Sequence, residues 1–448
     1  MFNKLISKLN GNKKNVIKIT IGTVVGQLIS VITLPFITRL YGAEIIGFWA
    51  FLNSIAVIVK SYSDLGLTNS IMLEEEEEIE DVYKVITTIV TIISIASSVI
   101  VAWIFVTFSS FEINPIFLLF YLIALVFTIQ QIQLCYTWLN RKCEYGILMK
   151  NPIINNGINS TAAILLGFLG MGLYGYLVGN MIGQIITLLY MKRSLPKSMF
   201  TFKLTDFAKI VSNNKRFVTY QLPTNVISNF KDQLPTLLIQ GLWGSQALGY
   251  YSITVRVLQI PSTFLANSIG RVFFQTTSKL IREGKSIGEY VTKNLKLGMM
   301  FAILPITILM ALGDKLAILA FGKEWQVSGE FIRLLAIQYF FMFISNTVYG
   351  LSTVLEKQNY AMISSTAQVV GLTIGAVIGK FVFGDIYISL VLMAALFVIA
   401  HIIYFSYLFK AMKVSSGKYV LYSLVSVITI VVLSALVRWI SEFIFGNL

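Results

Sequence analysis

The sequence predicts an all-α protein, a polytopic bundle of transmembrane helices arranged as two parallel six-helix lobes around a central cleft with one extra carboxy-terminal helix. Three observations carry this. The 448 residues are 56% hydrophobic and 12% charged, with mean hydropathy +0.77, far from the usage of soluble domains. The apolar residues run in continuous stretches rather than alternating, as in helices that satisfy their own backbone groups in hydrocarbon. One constellation of proline, glycine and aromatic residues also occurs twice.

Stretches of about 20 apolar residues, the length that crosses a bilayer, fall at 16–38, 45–71, 84–108, 113–139, 152–170 and 173–191. A second set falls at 216–241, 247–275, 295–320, 331–354, 361–383, 386–410 and 418–440. These thirteen spans give a first lobe over 1–193, a loop over 194–215, a second lobe over 216–412 and an appended helix over 413–448. Short turns near Gly170 and Gly384 leave twelve to fourteen helices open.

The amino terminus is basic (Lys4, Lys8, Lys13, Lys14, Lys18), but the apolar run behind it is too long for a signal-peptide core. It is expected to stay attached as the first span. Most of the Lys and Arg lie there and in the alternate loops that share its side, including Arg141, Lys142, Lys192 to Arg216, Lys279 to Lys296 and Lys410 to Lys418. The positive-inside rule makes that side cytoplasmic. The net charge of +14 is thus a topogenic signal with attraction for anionic headgroups. It implies no nucleic-acid partner. Cys135 and Cys143 are expected as free thiols in a reducing compartment.

The longest loop, 194–215, is too short for a catalytic or nucleotide-binding domain, which takes roughly 50 residues or more. Gly375 to Lys380 reads GAVIGK, one residue short of a phosphate-binding loop and apolar throughout, so it is read as helix packing. The single histidine, His401, is read as a neutral imidazole bonded to a neighbouring helix. The chain is expected to be neither an enzyme nor a metal or cofactor binder.

The repeated constellation is LPFITRLYGAEIIGFWAFLNS between the first two spans and LPTLLIQGLWGSQALGYYSIT between the seventh and eighth. Each has Leu-Pro (Pro35, Pro235), then aromatic-Gly (Tyr41-Gly42, Trp243-Gly244). Four residues on comes a second glycine followed by two aromatics (Gly47-Phe48-Trp49, Gly249-Tyr250-Tyr251). Proline bends or ends a helix, glycine permits the tight turn, and the aromatics suit the headgroup level. With six spans between copies, the halves are parallel repeats about an axis along the membrane normal.

The first copy, followed by SYSDLGLTNSI, resembles the opening of the polysaccharide-exporter and O-antigen (Wzx-type) flippases, and ALGYYSITVRVLQIPSTFLANSIGRVFFQTTSKL is similar to the eighth-helix region of the same family. The wider group is the multidrug/oligosaccharidyl-lipid/polysaccharide exporter superfamily. The resemblance implies a bacterial inner-membrane flippase, amino terminus cytoplasmic, that moves undecaprenyl-diphosphate-linked oligosaccharide outward by alternating access. An ion gradient or the membrane potential would drive it. Glycan polymerase and chain-length machinery are the implied neighbours, and the chain is expected to be a monomer.

Charges inside the spans are costly and normally face a partner or a watery cavity. Asp232 and Arg256 each lie twelve residues from Gly244, so a hairpin puts both about 15–18 Å from the turn. Two readings stay open. In one they form a structural ion pair. In the other Arg256 and Lys231 are cavity cations for the diphosphate, with Asp232 shaping their field or holding a coupling cation. Lys60 and Asp64, four apart on the second span, either line an inward vestibule or snorkel to the interface. Arg39 and Arg271, nearer span ends, are cavity cations or interfacial anchors. The acidic run Glu74 to Glu78, with Glu80 and Asp81, is either a solvated lead-in to the third span or a latch onto basic loops of the second half. A small-molecule or drug exporter of the same architecture is the alternative; it would favour an acidic cavity.

Overall fold

The computed structural model describes residues 11–108 and 113–445, with side chains undescribed at 11–17, 108, 198, 200, 268 and 445. Lys4 and Lys8 therefore lie outside the described residues, as do the side chains of Lys13 and Lys14. Among the described residues thirteen long helices follow one another. The first six are α1 (Gly11–Leu40), α2 (Ala43–Ser63), α3 (Ile79–Phe108), α4 (Pro115–Arg141), α5 (Tyr145–Phe168) and α6 (Gly172–Lys192). The continuous helical run Leu222–Pro261 is broken at Gly244, where φ is 83° and ψ is −179°. The break separates α7 (222–243) from α8, which runs from 245 through a π-helical turn, Ser262–Ala266, to Arg282. Only glycine takes that left-handed φ without strain, so the predicted turn residue makes the turn.

The remaining helices are α9 (Gly288–Phe321), α10 (Gln326–Thr347), α11 (Gln358–Ile378, extended by the π turn Gly379–Phe383), α12 (Ile386–Ala411) and α13 (Ser416–Phe445). Among the described residues ten helices are long and apolar enough to cross a membrane, and the chain is an all-α multi-pass membrane protein. The other three, α5, α7 and α8, are the polar ones: α5 carries Lys150, Asn151, Asn155, Asn156 and Asn159, and α7 carries Asn225, Asn229, Lys231 and Asp232.

Two predicted spans end earlier than read from hydropathy. The second stops at Ser63, and the chain turns through Gly66 (φ 76°) into the 3-10 helix Leu67–Met72. The tenth stops at Thr347 before a left-handed Gly350 (φ 75°). In both cases the residues past the turn are apolar because they are buried, as with Leu67, Ile71 and Leu351, and a hydropathy window cannot tell such a turn from a span.

The chain divides into two compact units, Met1–Gln233 and Leu234–Leu448. In the first, α5 packs on α1 and α6, and α4 packs on α2, α3 and α6. Small residues allow the close approach: a Cβ at Gly26 would come within 2.7 Å of the Pro152 carbonyl oxygen, and one at Gly179 within 2.6 Å of Ala163 N. Thr33 Oγ1 donates to Ser160 Oγ at 2.9 Å and Tyr41 OH to the Ala163 carbonyl at 2.6 Å.

The second unit repeats this neighbour order. Leu234, Leu238 and Leu242 of α7 pack with Leu372 and Ala376 of α11 and Met393 of α12. There α11 packs on α12, and α10 packs on α8, α9 and α12. The two glycines that close the repeated constellation, Gly47 and Gly249, are both buried. Gly375 is pressed to α12, where a Cβ would lie 2.6 Å from Met393 N, and Gly379 packs against Ser389. GAVIGK is therefore a helix-packing stripe.

The helix α13, expected as an appendage, is instead built into the second unit against α9 and α12. Ser434 Oγ donates to the Thr307 carbonyl at 3.3 Å, and Lys296 lies 4.4 Å from the centre of the Tyr422 ring. His401 is buried between α10 and α13, with Nδ1 3.3 Å from Ser345 Oγ and Nε2 3.1 Å from Tyr419 OH, and its ring stacks 4.6 Å from Phe405. It is a helix-bonding imidazole, as read from sequence.

Candidate functional site

The first unit holds five of the seven residues singled out from the sequence: Arg39, Lys60, Asp64, Lys231 and Asp232. Arg39 is exposed on the last turn of α1. Lys60 sits eighteen residues past Gly42 along α2, about 27 Å along the helix axis, so Arg39 and Lys60 mark opposite ends of one hairpin. The Lys60 ammonium is half-buried, with Nζ 3.5 Å from Gln133 Oε1 on α4.

Asp64 is buried at the carboxy end of α2. Its carboxylate accepts from Gly66 N at 2.9 Å and Thr68 N at 3.1 Å, and Gln130 Nε2 of α4 donates to Thr68 Oγ1 at 3.2 Å. The side chain thereby holds the tight turn into the 3-10 helix, satisfying donors that would be orphaned there.

Lys231 and Asp232 lie in the middle of α7, with Nζ and Oδ1 3.7 Å apart, and Asp232 is the more open at 62% of its side chain against 26% for Lys231. The first half of α7 is loosely held, since the buried residues of this helix begin only at Leu234, and Ile227 and Phe230 are exposed. A π-helical turn, Phe217–Gln221, precedes it. Such turns are rare and concentrate at functional sites.

In the second unit Arg256 is half-buried and Arg271 exposed on α8. The two are fifteen residues apart, about 22 Å, with the π turn Ser262–Ala266 between them. Thr254 Oγ1 donates to the Ser328 carbonyl at 2.9 Å and Ser328 Oγ to the Tyr250 carbonyl at 3.1 Å, which fixes the Arg256 end of α8 to α10. Arg39 sits at the end of α1 and Lys231 in the middle of α7, whereas Arg256 and Arg271 each lie eleven residues from an end of α8.

The acidic run, read as either a solvated lead-in or a latch onto the second half, finds partners within the first unit. Glu76 bridges Lys142 at 2.5 Å and Arg141 at 3.3 Å, Glu78 pairs with Lys209 at 3.0 Å, Asp81 pairs with Lys203 at 2.7 Å, and Glu74 accepts from Asn214 at 2.5 Å. The loop that follows α6 is thus clasped to α3 and α4. The hydrogen bond from Lys142 holds the Glu76 carboxyl below its ordinary range. Asp206 and Asp81 raise the Lys203 ammonium, and Glu78 raises Lys209.

One charged cluster escaped the sequence reading. Asp314 Oδ2 of α9 lies 3.2 Å from Arg333 Nη1 of α10 and 3.0 Å from Arg438 Nη1 of α13, and Arg438 Nε lies 2.9 Å from Glu442. Asp314, Arg333 and Arg438 each fall inside a predicted apolar run, Glu442 lies just past the last one, and Asp314 and Arg333 lie eight and eleven residues either side of Gly322. The hairpin arithmetic applied at Gly244 would have paired them. Cys135 and Cys143 are free. Among the described residues no group of three or more His, Cys, Asp or Glu side chains is placed to hold a metal ion.

Residues 36–330 match the family model of the polysaccharide biosynthesis proteins. Similar proteins include the capsular polysaccharide biosynthesis protein CapF of Staphylococcus aureus, 23% identical over 49% of this chain and 58% of that one. The succinoglycan biosynthesis transport protein ExoT of Rhizobium meliloti (strain 1021) is 22% identical over 68% of this chain and 62% of its own length. The chain thus aligns with less than two thirds of these relatives' lengths. In fold it is similar to the lipid II flippase MurJ in an inward closed conformation, with a TM-score of 0.73 at 15% identity over 96% of this chain and 99% of that one. It is also similar to an inward-facing multidrug resistance MATE family transporter of the MOP superfamily, with a TM-score of 0.58 at 13% identity over 88% and 94%.

Proposed function

Because the chain belongs to the family of polysaccharide biosynthesis proteins, we propose that it is a flippase for polyprenyl-diphosphate-linked oligosaccharide, carrying the charged head of the lipid across the membrane while the polyprenyl tail stays in hydrocarbon. The supporting observation is the placement of Lys231 in the middle of α7 and of Arg256 eleven residues into α8, two of the three long helices too polar to pass as simple spans. A bilayer-facing helix gains nothing from such charges. A helix bordering a path for an anionic headgroup does, and arginine suits phosphate through its bidentate fork whereas lysine supplies a point charge.

In this reading residues 1–193 and 216–412 act as the two lobes, 194–215 is the loop between them, and α13 braces the second lobe. The basic loops face the cytoplasm. Lys60 guides the head toward the path, Arg39 and Arg271 meet it near the interfaces, and Asp232 tempers the Lys231 charge. The chain transports rather than catalyses, as a monomer in the bacterial inner membrane. Energy comes from an ion gradient or from the membrane potential, which acts on each charge moved at about 2.3 kcal/mol per 100 mV.

The test is the pair Lys231→Ala and Arg256→Ala, singly and together, in a strain lacking the native gene, with protein level measured in each. The double variant is expected to lose surface glycan and to accumulate lipid-linked repeat units reachable only from the cytoplasmic leaflet. Full export by a well-expressed double variant would overturn the assignment.

A further inference from the structure

The helices α11 and α12 are in close contact along one half only. A Cβ at Gly371 would lie 3.0 Å from Leu396 Cβ and one at Gly375 2.6 Å from Met393 N, and Gly379 sits against Ser389. Beyond Gly371, toward the start of α11, the small-residue stripe ends and the helices part. Tyr360, Ile363, Ser364 and Ala367 of α11 there face Ala400, Ile403, Tyr404 and Tyr407 of α12 across a cavity of about 270 Å³. Its rim is open, with Ile363 61%, Ile403 51% and Tyr407 55% exposed. Both helices are long and apolar enough to cross a membrane, and the exposed rim is apolar, as a lipid-facing surface is.

Lys357 stands at the mouth of this slot, with Nζ 5.9 Å from the centre of the Tyr360 ring, and Tyr360 and Tyr407 face each other at 5.8 Å and 49°. Lys410 follows Tyr407 by one helical turn. An apolar slot with cations at its mouth matches a lipid that carries phosphate on a hydrocarbon chain.

We propose that this slot holds the first isoprene units of the polyprenyl chain of the carrier lipid, with Lys357 and Lys410 facing its diphosphate; the inference rests on the transport reading above. At about 30 Å³ for a water-sized group, the cavity takes about nine carbon-sized groups, close to two isoprene units. The notch at Ala367 and Ala400 admits the branching methyl groups that a straight acyl chain lacks, and the tyrosine rings offer flat faces to the planar double bonds. Two lysines suit a diphosphate better than the single phosphodiester of a bulk phospholipid.

The experiment uses the full chain in lipid nanodiscs and a polyprenyl diphosphate carrying a photoreactive group on its second isoprene unit. Crosslinks are expected within 360–367 and 400–407. Unlabelled polyprenyl diphosphate should compete, while phosphatidylglycerol and inorganic diphosphate should not. Filling the slot with Ala367→Leu and Ala400→Leu is expected to lower saturable crosslinking about tenfold. Ile403→Trp, which closes the lipid-facing rim from an exposed position and so spares the packing, should do the same. Lys357→Gln is expected to weaken labelling about threefold. Saturable crosslinks mapping elsewhere, equal competition by phosphatidylglycerol, or labelling unchanged by Ile403→Trp would each overturn the slot and leave the transport reading standing. A wild-type chain with no saturable crosslink anywhere would overturn the carrier reading itself.

Discussion

Replacing Asp314 by asparagine removes the one carboxylate that faces both Arg333 and Arg438. The side chains of Asp314, Arg333 and Arg438 are 15%, 33% and 30% exposed, so the network is neither a surface pair nor a sealed one. An exposed pair contributes about 0.2–1 kcal/mol, and taking one partner from a fully buried pair costs about 3–5 kcal/mol. Losing the shared carboxylate breaks two contacts at once and leaves two guanidiniums facing each other, which puts Asp314→Asn at about 2–4 kcal/mol. Arg438→Met leaves Asp314 paired to Arg333, whose Nε is also held by the Met310 carbonyl at 3.2 Å, and should cost about 1–2 kcal/mol. Thermal unfolding in detergent should show midpoints lowered by roughly 2–4 °C for Asp314→Asn and about half that for Arg438→Met. The double variant should recover about 1 kcal/mol of coupling. An Asp314→Asn protein that melts with the wild type, or a cycle with no coupling, would show that the ions do not hold α13 to α9 and α10.

Three further expectations concern packing, pH and the histidine. Gly375→Ala puts a Cβ 2.6 Å from Met393 N, a backbone atom that cannot yield cheaply, and should cost about 1–3 kcal/mol; Gly42→Ala, with nothing within 4 Å, should be within about 0.5 kcal/mol of wild type, and equal effects in the melting assay would refute the zipper. The clasp around the acidic run should strengthen the first unit only between two limits. The lowered Glu76 carboxyl contributes above its ordinary value of 4.5 and loses that as pH falls through its lowered value, while the raised Lys203 and Lys209 contribute below 10.5 and lose that as pH rises through their raised values. Glu76→Gln should therefore lower the melting midpoint at neutral pH and converge on wild type at strongly acid pH, and a pH-independent difference would contradict the linkage. His401→Asn, which breaks the bonds to Ser345 and Tyr419, should cost about 1–3 kcal/mol with export per folded molecule unchanged; export abolished at wild-type stability would make His401 part of the transport machinery.

How much of this was legible in the sequence depended on which forces leave a local trace. Burial in lipid does, so the thirteen helices and the turns at Gly42 and Gly244 could be read directly, since a window of about 20 apolar residues has few other uses. Contacts between distant segments do not. Glu76 could have met any basic loop, and only the fold shows that it meets Arg141 and Lys142. The four-residue spacing of Lys60 and Asp64 put them on one helical face, yet Asp64 stands at the helix end, where its carboxylate serves the backbone of the next turn. Spacing arguments assume that the helix continues, and a left-handed glycine two residues on was the local signal that it stops.

The polarity of α5, α7 and α8 links these observations to function. Ten helices pass as spans by composition alone, so the chain has no general shortage of apolar residues and could have made the other three equally apolar. In α5 part of the polar set sits at a packed interface, where a Cβ at Gly183 would touch Asn159 Cβ at 2.6 Å and Ser160 bonds Thr33 across to α1, while Lys150 is exposed. In the first half of α7 no residue is buried, so Asn225, Asn229, Lys231 and Asp232 cannot be accounted for by packing inside their own unit. On the proposed transport reading, charge that packing does not use is where water or an anionic headgroup would pass. That distinction, between polarity that packing uses and polarity that it leaves over, is what directs the transport assay to Lys231 first.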